Sequence, residues 1–349
     1  MKYTTLGRTG LIVSRLAFGT MTFGAAYGAI AKVDQESATA LVARALDAGV
    51  TFFDTADQYS GGQAEELLGK ALGPRRGAVV VATKVGLRMD DTPTSAGLSA
   101  HHIIASAEAS LRRLDTDYID LYQLHLPDPL TSFDETARAL DDLVRRGLVR
   151  YVGFCNFAAW QAATMLGLQR AHGYAPFVSA QMYYSLLGRD IEHDMAPLAR
   201  HAGLAILPWS PLAGGFLSGK YVRDTAGGGS EGRRAELDFP PVDRDLGYDV
   251  VDTLRAIATA HGTTPARVAL AWMLARPGIT SVIIGASKAT QLDDNLGAID
   301  LVLAPEQIAT LDAMTAPAER YPNWMATRFP DTTTIRALSP EGSATVLPQ

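Results

Sequence analysis

Thr51-Phe52-Phe53 runs into Asp54, and Tyr59 stands five residues further on. Val79-Val80-Val81-Ala82-Thr83 runs into Lys84, and Ile119-Asp120-Leu121-Tyr122-Gln123-Leu124 runs into His125. If the three runs are neighbouring parallel strands, Asp54, Tyr59, Lys84 and His125 meet at one rim. An acid with a cation beside it and an imidazole nearby can protonate a carbonyl oxygen. A free tyrosine has a pKa of roughly 10 and is a sluggish proton donor at neutral pH. A Lys84 ammonium close to Tyr59 favours the phenolate and is expected to lower that pKa. Asp54 can pair with Lys84 and balance its buried charge. His125 can orient a substrate oxygen, so that Tyr59 and His125 together hold it and stabilise developing alkoxide charge. These side chains supply a proton but no electrons, so a hydride would have to come from a cofactor.

The elements that would position them alternate along the chain. Candidate strands lie near 16–19, 51–54, 78–83, 119–124, 149–154, 178–181, 205–208 and 281–284. Helical patterns lie near 35–48, 64–71, 101–114, 132–145, 158–171, 191–201, 248–275, 289–296 and 306–314. Ser132 with Glu135 three residues on reads as a capping box, Gly147 as a helix stop, and Pro265 as a first-turn residue. Eight strands, each apolar nearly throughout and each followed by a helix, read as an α/β protein with a (β/α)8 TIM barrel. An open doubly wound sheet would need a glycine-rich turn after the first strand, and Thr20-Met21-Thr22-Phe23-Gly24 does not supply one. Residues 3–13, with Gly7-Arg8-Thr9-Gly10 at the turn, read as an N-terminal β-hairpin that plugs the barrel bottom. Long loops at 88–97 and 213–247 and the tail at 316–349 are expected at the C-terminal face, where barrel enzymes carry their sites. The whole chain, 1–349, reads as one domain, with a barrel core of about residues 15–315 and the tail over the active site.

Bulk properties narrow the function classes. Hydrophobic residues make up 47% and charged residues 19% of 349, a composition that suits a folded globular protein. A net charge of −6 gives no basic surface for nucleic acid or anionic lipid. Cys155 is the single cysteine, so an intrachain disulfide and a cysteine-rich metal site are ruled out. No apolar run reaches the roughly 18 residues of a membrane span, and the N-terminus has no secretory pattern, so a cytoplasmic location without membrane or metal is expected. Two glycine-rich stretches are decoys. Gly227-Gly228-Gly229-Ser230-Glu231-Gly232 matches G-x-G-x-x-G but follows no strand. Gly214 to Lys220 matches seven positions of a P-loop, after which Tyr221 replaces the magnesium-holding Ser or Thr. His101-His102 at a helix start reads as a solvated face.

These blocks, in this order, resemble the aldo-keto reductase superfamily. The likeness runs from Leu6-Gly7-Arg8-Thr9-Gly10 to Asp294-Asn295-Leu296 and rests on Leu16 to Gly24, on Phe53-Asp54-Thr55-Ala56-Asp57-Gln58-Tyr59-Ser60, on Ala82-Thr83-Lys84 and on Leu121 to His125. The resemblance implies NADPH-dependent reduction of an aldehyde or ketone, or the reverse alcohol dehydrogenase reaction, with Asp54, Tyr59, Lys84 and His125 catalytic. It implies that Gly19, Thr20, Met21 and Asp54 line the nicotinamide end, with Asn156 and Gln181 on the carboxamide. Trp209 would stack on the ring, followed by Ser210, Pro211 and Leu212. Gly214, Leu217 and Lys220 would hold the pyrophosphate. Ile284, Gly285, Ser287, Lys288 and Gln291 would form the adenosine-phosphate turn, with Asn295 toward adenine. Lys288 favours NADP(H) over NAD(H), because a 2′-phosphate needs a cation. Cys155 departs from the family's usual Ser, and a thiol is the poorer hydrogen-bonding group.

Substrate contacts are expected from Phe23, Tyr27, Tyr59, Leu87, Arg88, His125 and Trp324, with Tyr321 and Met325 near them. An aromatic, mostly neutral wall points to an apolar or bulky carbonyl compound or alcohol. Two other readings stand beside the reductase. One is a non-catalytic NADP-binding regulatory or sensor subunit of the same fold. The other is a barrel lyase that uses Lys84 as a Schiff base.

Overall fold

Eight apolar runs form eight parallel strands, because each is buried on both faces and has helices to cover its outer one. The computed structural model describes residues 1–26, 31–223, 234, 237–329, 331–333 and 337. A hairpin of β1 (Tyr3–Thr5) and β2 (Ile12–Ser14) comes first. The parallel strands are β3 (Leu16–Gly19), β4 (Phe52–Asp54), β5 (Val80–Val85), β6 (Ile119–Leu124), β7 (Val149–Cys155), β8 (Phe177–Tyr183), β9 (Ala205–Trp209) and β10 (Val282–Gly285). Their spatial order is β10-β3-β4-β5-β6-β7-β8-β9. The remaining gap is bridged where the Thr280 N–H donates to the Ile206 carbonyl at 3.0 Å, beside a parallel bridge between Ile206 and Ile279. The result is a (β/α)8 barrel.

The core has two layers. The outer one lies between strands and helices. The inner one fills the barrel with Ala17, Phe52, Val80, Ala82, Leu121, Ala205, Leu207 and Ile283. Leu6 and Val13 of the hairpin complete it from below, each fully buried. The hairpin is thus the expected plug. Its turn needs Gly7, at φ 59°, because a Cβ there would stand 2.6 Å from the Gly203 carbonyl oxygen.

Local signals act largely as read. Ser132 Oγ accepts the Glu135 N–H at 3.2 Å and starts the helix Phe133–Arg145. Glu135 does not close the box. Its carboxylate takes the Ala100 N–H at 2.9 Å and so ties down the neighbouring helix Ala100–Leu114. The helical pattern at 248–275 is two helices, Arg244–His261 and Pro265–Leu274. Gly262 at φ 61° stops the first, while Thr264 caps the second and Pro265 takes its first turn. Apolar periodicity continues on both sides of this break, which hid it. His102 is buried against Ser106, so the His101-His102 pair is solvated at His101 alone.

The loop at 88–97 is closed by its own contacts, and Asp128 fastens it to the loop after β6 by accepting the Leu98 N–H at 2.7 Å. The tail carries a short helix, Asn323–Arg328, beside the turn Asp190–Glu192 that follows β8. Arg320 pairs with Asp190 at 2.7 Å and Asn323 donates to the His193 carbonyl at 3.1 Å. Among the described residues no helix is long and apolar enough to cross a membrane. The glycine-rich decoy at 227–232 lies outside the described residues.

Candidate active site

Side chains on a strand alternate between faces, so every second residue points into the barrel. On β4 the inward series is Phe52, Asp54. On β5 it is Val80, Ala82, Lys84. On β6 it runs Leu121, Gln123 and then His125 just past the strand, and on β9 Ala205, Leu207, Trp209. Each series begins apolar and turns polar or aromatic at the strand's C-terminal end. The register sets the top layer side by side. Gly285 lies beside Gly19, Gly19 beside Asp54, Lys84 beside Gln123, Cys155 beside Gln181, and Tyr183 beside Trp209.

Lys84 is the hub of this layer and is fully buried. Its ammonium donates to Asp54 Oδ2 at 2.7 Å, to the Thr55 carbonyl at 2.7 Å and to Tyr59 Oη at 3.2 Å. All three of its protons are therefore engaged. Asp54 Oδ1 accepts Gln181 Nε2 at 2.7 Å and Gln123 Nε2 at 3.4 Å. Burial pushes the lysine pKa down, but Asp54 and Tyr59 outweigh it, and the net direction is up. Lys84 is a fixed cation.

Tyr59 follows β4 on a tight turn, and its ring stands edge to face with His125 at 5.9 Å between centroids. The expected fall in its pKa does not occur. Burial penalises the phenolate more than Lys84 favours it, so the phenol is raised above its ordinary value and stays protonated at neutral pH. His125 moves the other way. Burial and then the Lys84 charge lower its pKa to about 3, so its imidazole is neutral. Its Nδ1 is buried without a hydrogen-bond partner. Burial likewise raises the Cys155 thiol, which stays protonated.

Asn156 joins two sides of the mouth. It adopts a positive φ of 59°, a region that Asn tolerates. Its Nδ2 donates to the His125 carbonyl at 3.1 Å, and its Oδ1 accepts Trp209 Nε1 at 3.0 Å. Thr20 is buried, its hydroxyl donating to the Asp54 carbonyl at 3.2 Å, with half-buried Met21 next to it. Ser210, Pro211 and Leu212 lead into a turn over Ala213–Ser218, where Gly214 and Gly215 have φ of 65° and 90°. Leu217 is buried beneath that turn, and Lys220 Nζ folds back beside Gly215. Beyond buried Ile284, Gly285 opens on free space. Gln291 Oε1 accepts the Ser287 N–H at 3.0 Å, and Asn295 Nδ2 donates to the Gly285 carbonyl at 3.1 Å. Lys288 is exposed and has no ion pair among the described residues.

The wall residues divide. Leu87 is half-buried at the mouth. Phe23 is fully buried, edge-on to Phe18 in the strand-helix core, and offers no surface to a substrate. Arg88 turns its guanidinium onto the Asp90 and Thr92 carbonyls and so closes its own loop. Trp324 is on the tail helix next to Tyr321. Tyr27 lies outside the described residues. Two residues escaped sequence reasoning. Gln123 reaches Asp54, and period-two alternation between Leu121 and His125 would have found it. Phe239 stacks on Trp209 at 5.6 Å and 12°, a contact made across a long loop with no local signal.

A sequence profile of the Aldo/keto reductase family matches residues 15–316. The uncharacterized oxidoreductase YrpG of Bacillus subtilis is 38% identical over 89% of this chain and 95% of its own length. A probable voltage-gated potassium channel subunit beta of rice, Oryza sativa subsp. japonica, is 36% identical over 90% and 96%. Versiconal hemiacetal acetate reductase of Aspergillus parasiticus is 32% identical over 92% and 99%.

The burial of His125 generates a direct test. Its ring resonances, followed by NMR, are expected to show no protonation step between about pH 5 and pH 8. A midpoint near the ordinary value of ~6.5 would contradict the buried, neutral imidazole.

Proposed function

The chain belongs to the aldo/keto reductase family, and from that premise we propose that it is an NADPH-dependent reductase of aldehydes or ketones. The reverse oxidation of the alcohol uses the same site. The observation that carries this reading is the simultaneous bonding of Lys84 Nζ to Asp54 and to Tyr59 Oη at the head of the barrel.

The residues at the mouth fit a bound dinucleotide. Gly19 and Gly285 lie side by side without side chains, and the space beyond Gly285 is open. At one end Lys220 bends over a glycine turn, and at the other Lys288 stands exposed without an ion pair among the described residues. On this reading Gly19, Thr20, Met21, Asn156, Gln181 and Trp209 surround the nicotinamide end, with Ser210, Pro211 and Leu212 behind it. Gly214, Leu217 and Lys220 take the pyrophosphate. Ile284, Gly285, Ser287, Lys288, Gln291 and Asn295 take the adenosine phosphate. When bound, NADPH supplies the hydride.

The protein's own groups do the rest. Tyr59 holds its proton at neutral pH and gives it to the carbonyl oxygen as negative charge develops there. Lys84, charged throughout, stabilises the phenolate that remains. Asp54, with Gln123 and Gln181 behind it, fixes the ammonium in place. Neutral His125 donates one N–H to the same oxygen and leaves the transferable proton to Tyr59. The apolar wall of Leu87, Trp209 and Phe239 suits an apolar or bulky carbonyl compound. A Schiff base on Lys84 is disfavoured, because a charged amine with every proton engaged is a poor nucleophile.

The similarity to a protein named as a channel beta subunit keeps one second reading in view, a binding subunit that senses NADPH. Tight NADPH binding without turnover across a panel of aldehydes, ketones and alcohols would favour it.

Tyr59→Phe is expected to keep NADPH affinity and to lower turnover by roughly 10²- to 10⁴-fold, the usual effect of removing a general acid. Wild-type rates in that variant would take the proton-donor role from Tyr59. Lys288→Ala is expected to weaken NADPH binding much more than NADH binding, measured by fluorescence titration. Equal losses would place the 2′-phosphate elsewhere.

A further inference from the structure

Behind the top layer, on the outer side of the sheet, lies a second group of ionisable side chains. The chain after β4 continues the parallel ladder onto β5. The Thr55 N–H donates to the Ala82 carbonyl at 2.9 Å and the Asp57 N–H to the Lys84 carbonyl at 3.3 Å. Asp57 is thereby fixed in the layer between strands and helices, two residues before Tyr59. It is fully buried, no side chain hydrogen-bonds either carboxyl oxygen, and the nearest donor is the backbone N–H of the next residue, Gln58. A buried carboxylate in that condition is heavily penalised.

The groups facing it come from every neighbouring element. Glu65 belongs to the helix Gln63–Leu72, and Arg113 to the helix Ala100–Leu114. Lys84 is on β5, and Tyr122, fully buried with its hydroxyl on the Ile103 carbonyl, is on β6. The cations are already committed. Arg113 Nε binds Glu65 Oε2 at 2.6 Å, and the other Glu65 oxygen accepts Thr83 Oγ1 at 2.5 Å. Lys84 gives its protons to Asp54, Thr55 and Tyr59 on the opposite side of the sheet. Two carboxyl groups therefore share one guanidinium, and Glu65 holds it. Charge balance leaves Asp57 as the neutral partner.

We propose that Asp57 is carried as an uncharged carboxylic acid and acts as a positioning residue for Tyr59, so that loss of its proton unseats the turn that presents the phenol to Lys84. An ionised Asp57 gains most by moving toward water, and Tyr59 moves with it. The proposal rests on the reading of Tyr59 as proton donor. Burial first, and Glu65 second, raise the Asp57 pKa to about 8, against the lowering effects of Arg113, the Gln58 backbone N–H and Lys84. Tyr59 is itself displaced upward from ~10, so the two events fall in separate pH ranges.

The linkage has a definite sign. The unfolded chain gives up the Asp57 proton at about pH 4, whereas the folded protein keeps it to about pH 8. Between these values stability falls as pH rises. Asp57→Asn, which is similar in shape and cannot ionise, is free of that loss.

The test compares wild type with Asp57→Asn in two measurements. In the first, kcat for carbonyl reduction is followed from pH 6 to 9.5. Wild type is expected to fall above about pH 8, tending to tenfold per unit, while the variant stays active at pH 7 and lacks that limb. In the second, thermal unfolding midpoints are compared from pH 5 to 8, and the advantage of the variant is expected to widen as pH rises. A shared alkaline limb, a folded but inactive variant at pH 7, or parallel unfolding curves would overturn the proposal. Failure of the reductase reading would remove turnover from both proteins, and the unfolding curves would then decide the state of Asp57 alone.

Discussion

A charged amine held without water is the constraint on which the head of this barrel depends. Lys84 is fully buried, and removing an ion from water costs several kcal/mol even after relaxation. Three acceptors placed by three different pieces of chain offset that loss. Asp54 ends β4, Thr55 begins the turn after it, and Tyr59 closes that turn. Displacing any one of them leaves an ammonium proton unsatisfied, so the same contacts that make the cation tolerable also fix the phenol.

The scaffold makes this arrangement cheap to maintain elsewhere. Apolar inward residues fill the lower barrel, the hairpin seals its base with Leu6 and Val13, and the polar layer is confined to the strand ends. A low-dielectric floor strengthens every electrostatic contact above it. The same floor sets the protonation states. It keeps Tyr59 a phenol, His125 a neutral imidazole and Cys155 a thiol, leaving the Lys84–Asp54 pair as the charge at the centre. Neutral donors around one cation suit the proposed reduction, in which negative charge would develop on a substrate oxygen.

Much of this was legible in the sequence because it depends on short-range pattern. Continuous apolar runs gave the strands, and their polar ends gave Asp54, Lys84 and His125. The turn to Tyr59 needed only a count of residues. What escaped was decided at long range. The net direction of the Tyr59 pKa depends on how completely the site is buried, which a pairwise view of Lys84 and Tyr59 omits. Phe23 is expected at the substrate wall only because it lies in a loop, and that loop folds it into the core. Gly262 split a helix whose periodicity ran on either side of it. Phe239 meets Trp209 across a long glycine-rich loop, and no local pattern specifies such a meeting.

Lys84→Met addresses the central claim most directly. The rate of a single turnover, measured by stopped flow with NADPH already bound to folded protein, separates chemistry from cofactor binding. The account expects NADPH affinity to persist while hydride consumption slows by about a hundredfold or more. An undiminished rate would contradict it, because the phenol would then work without the ammonium that holds it.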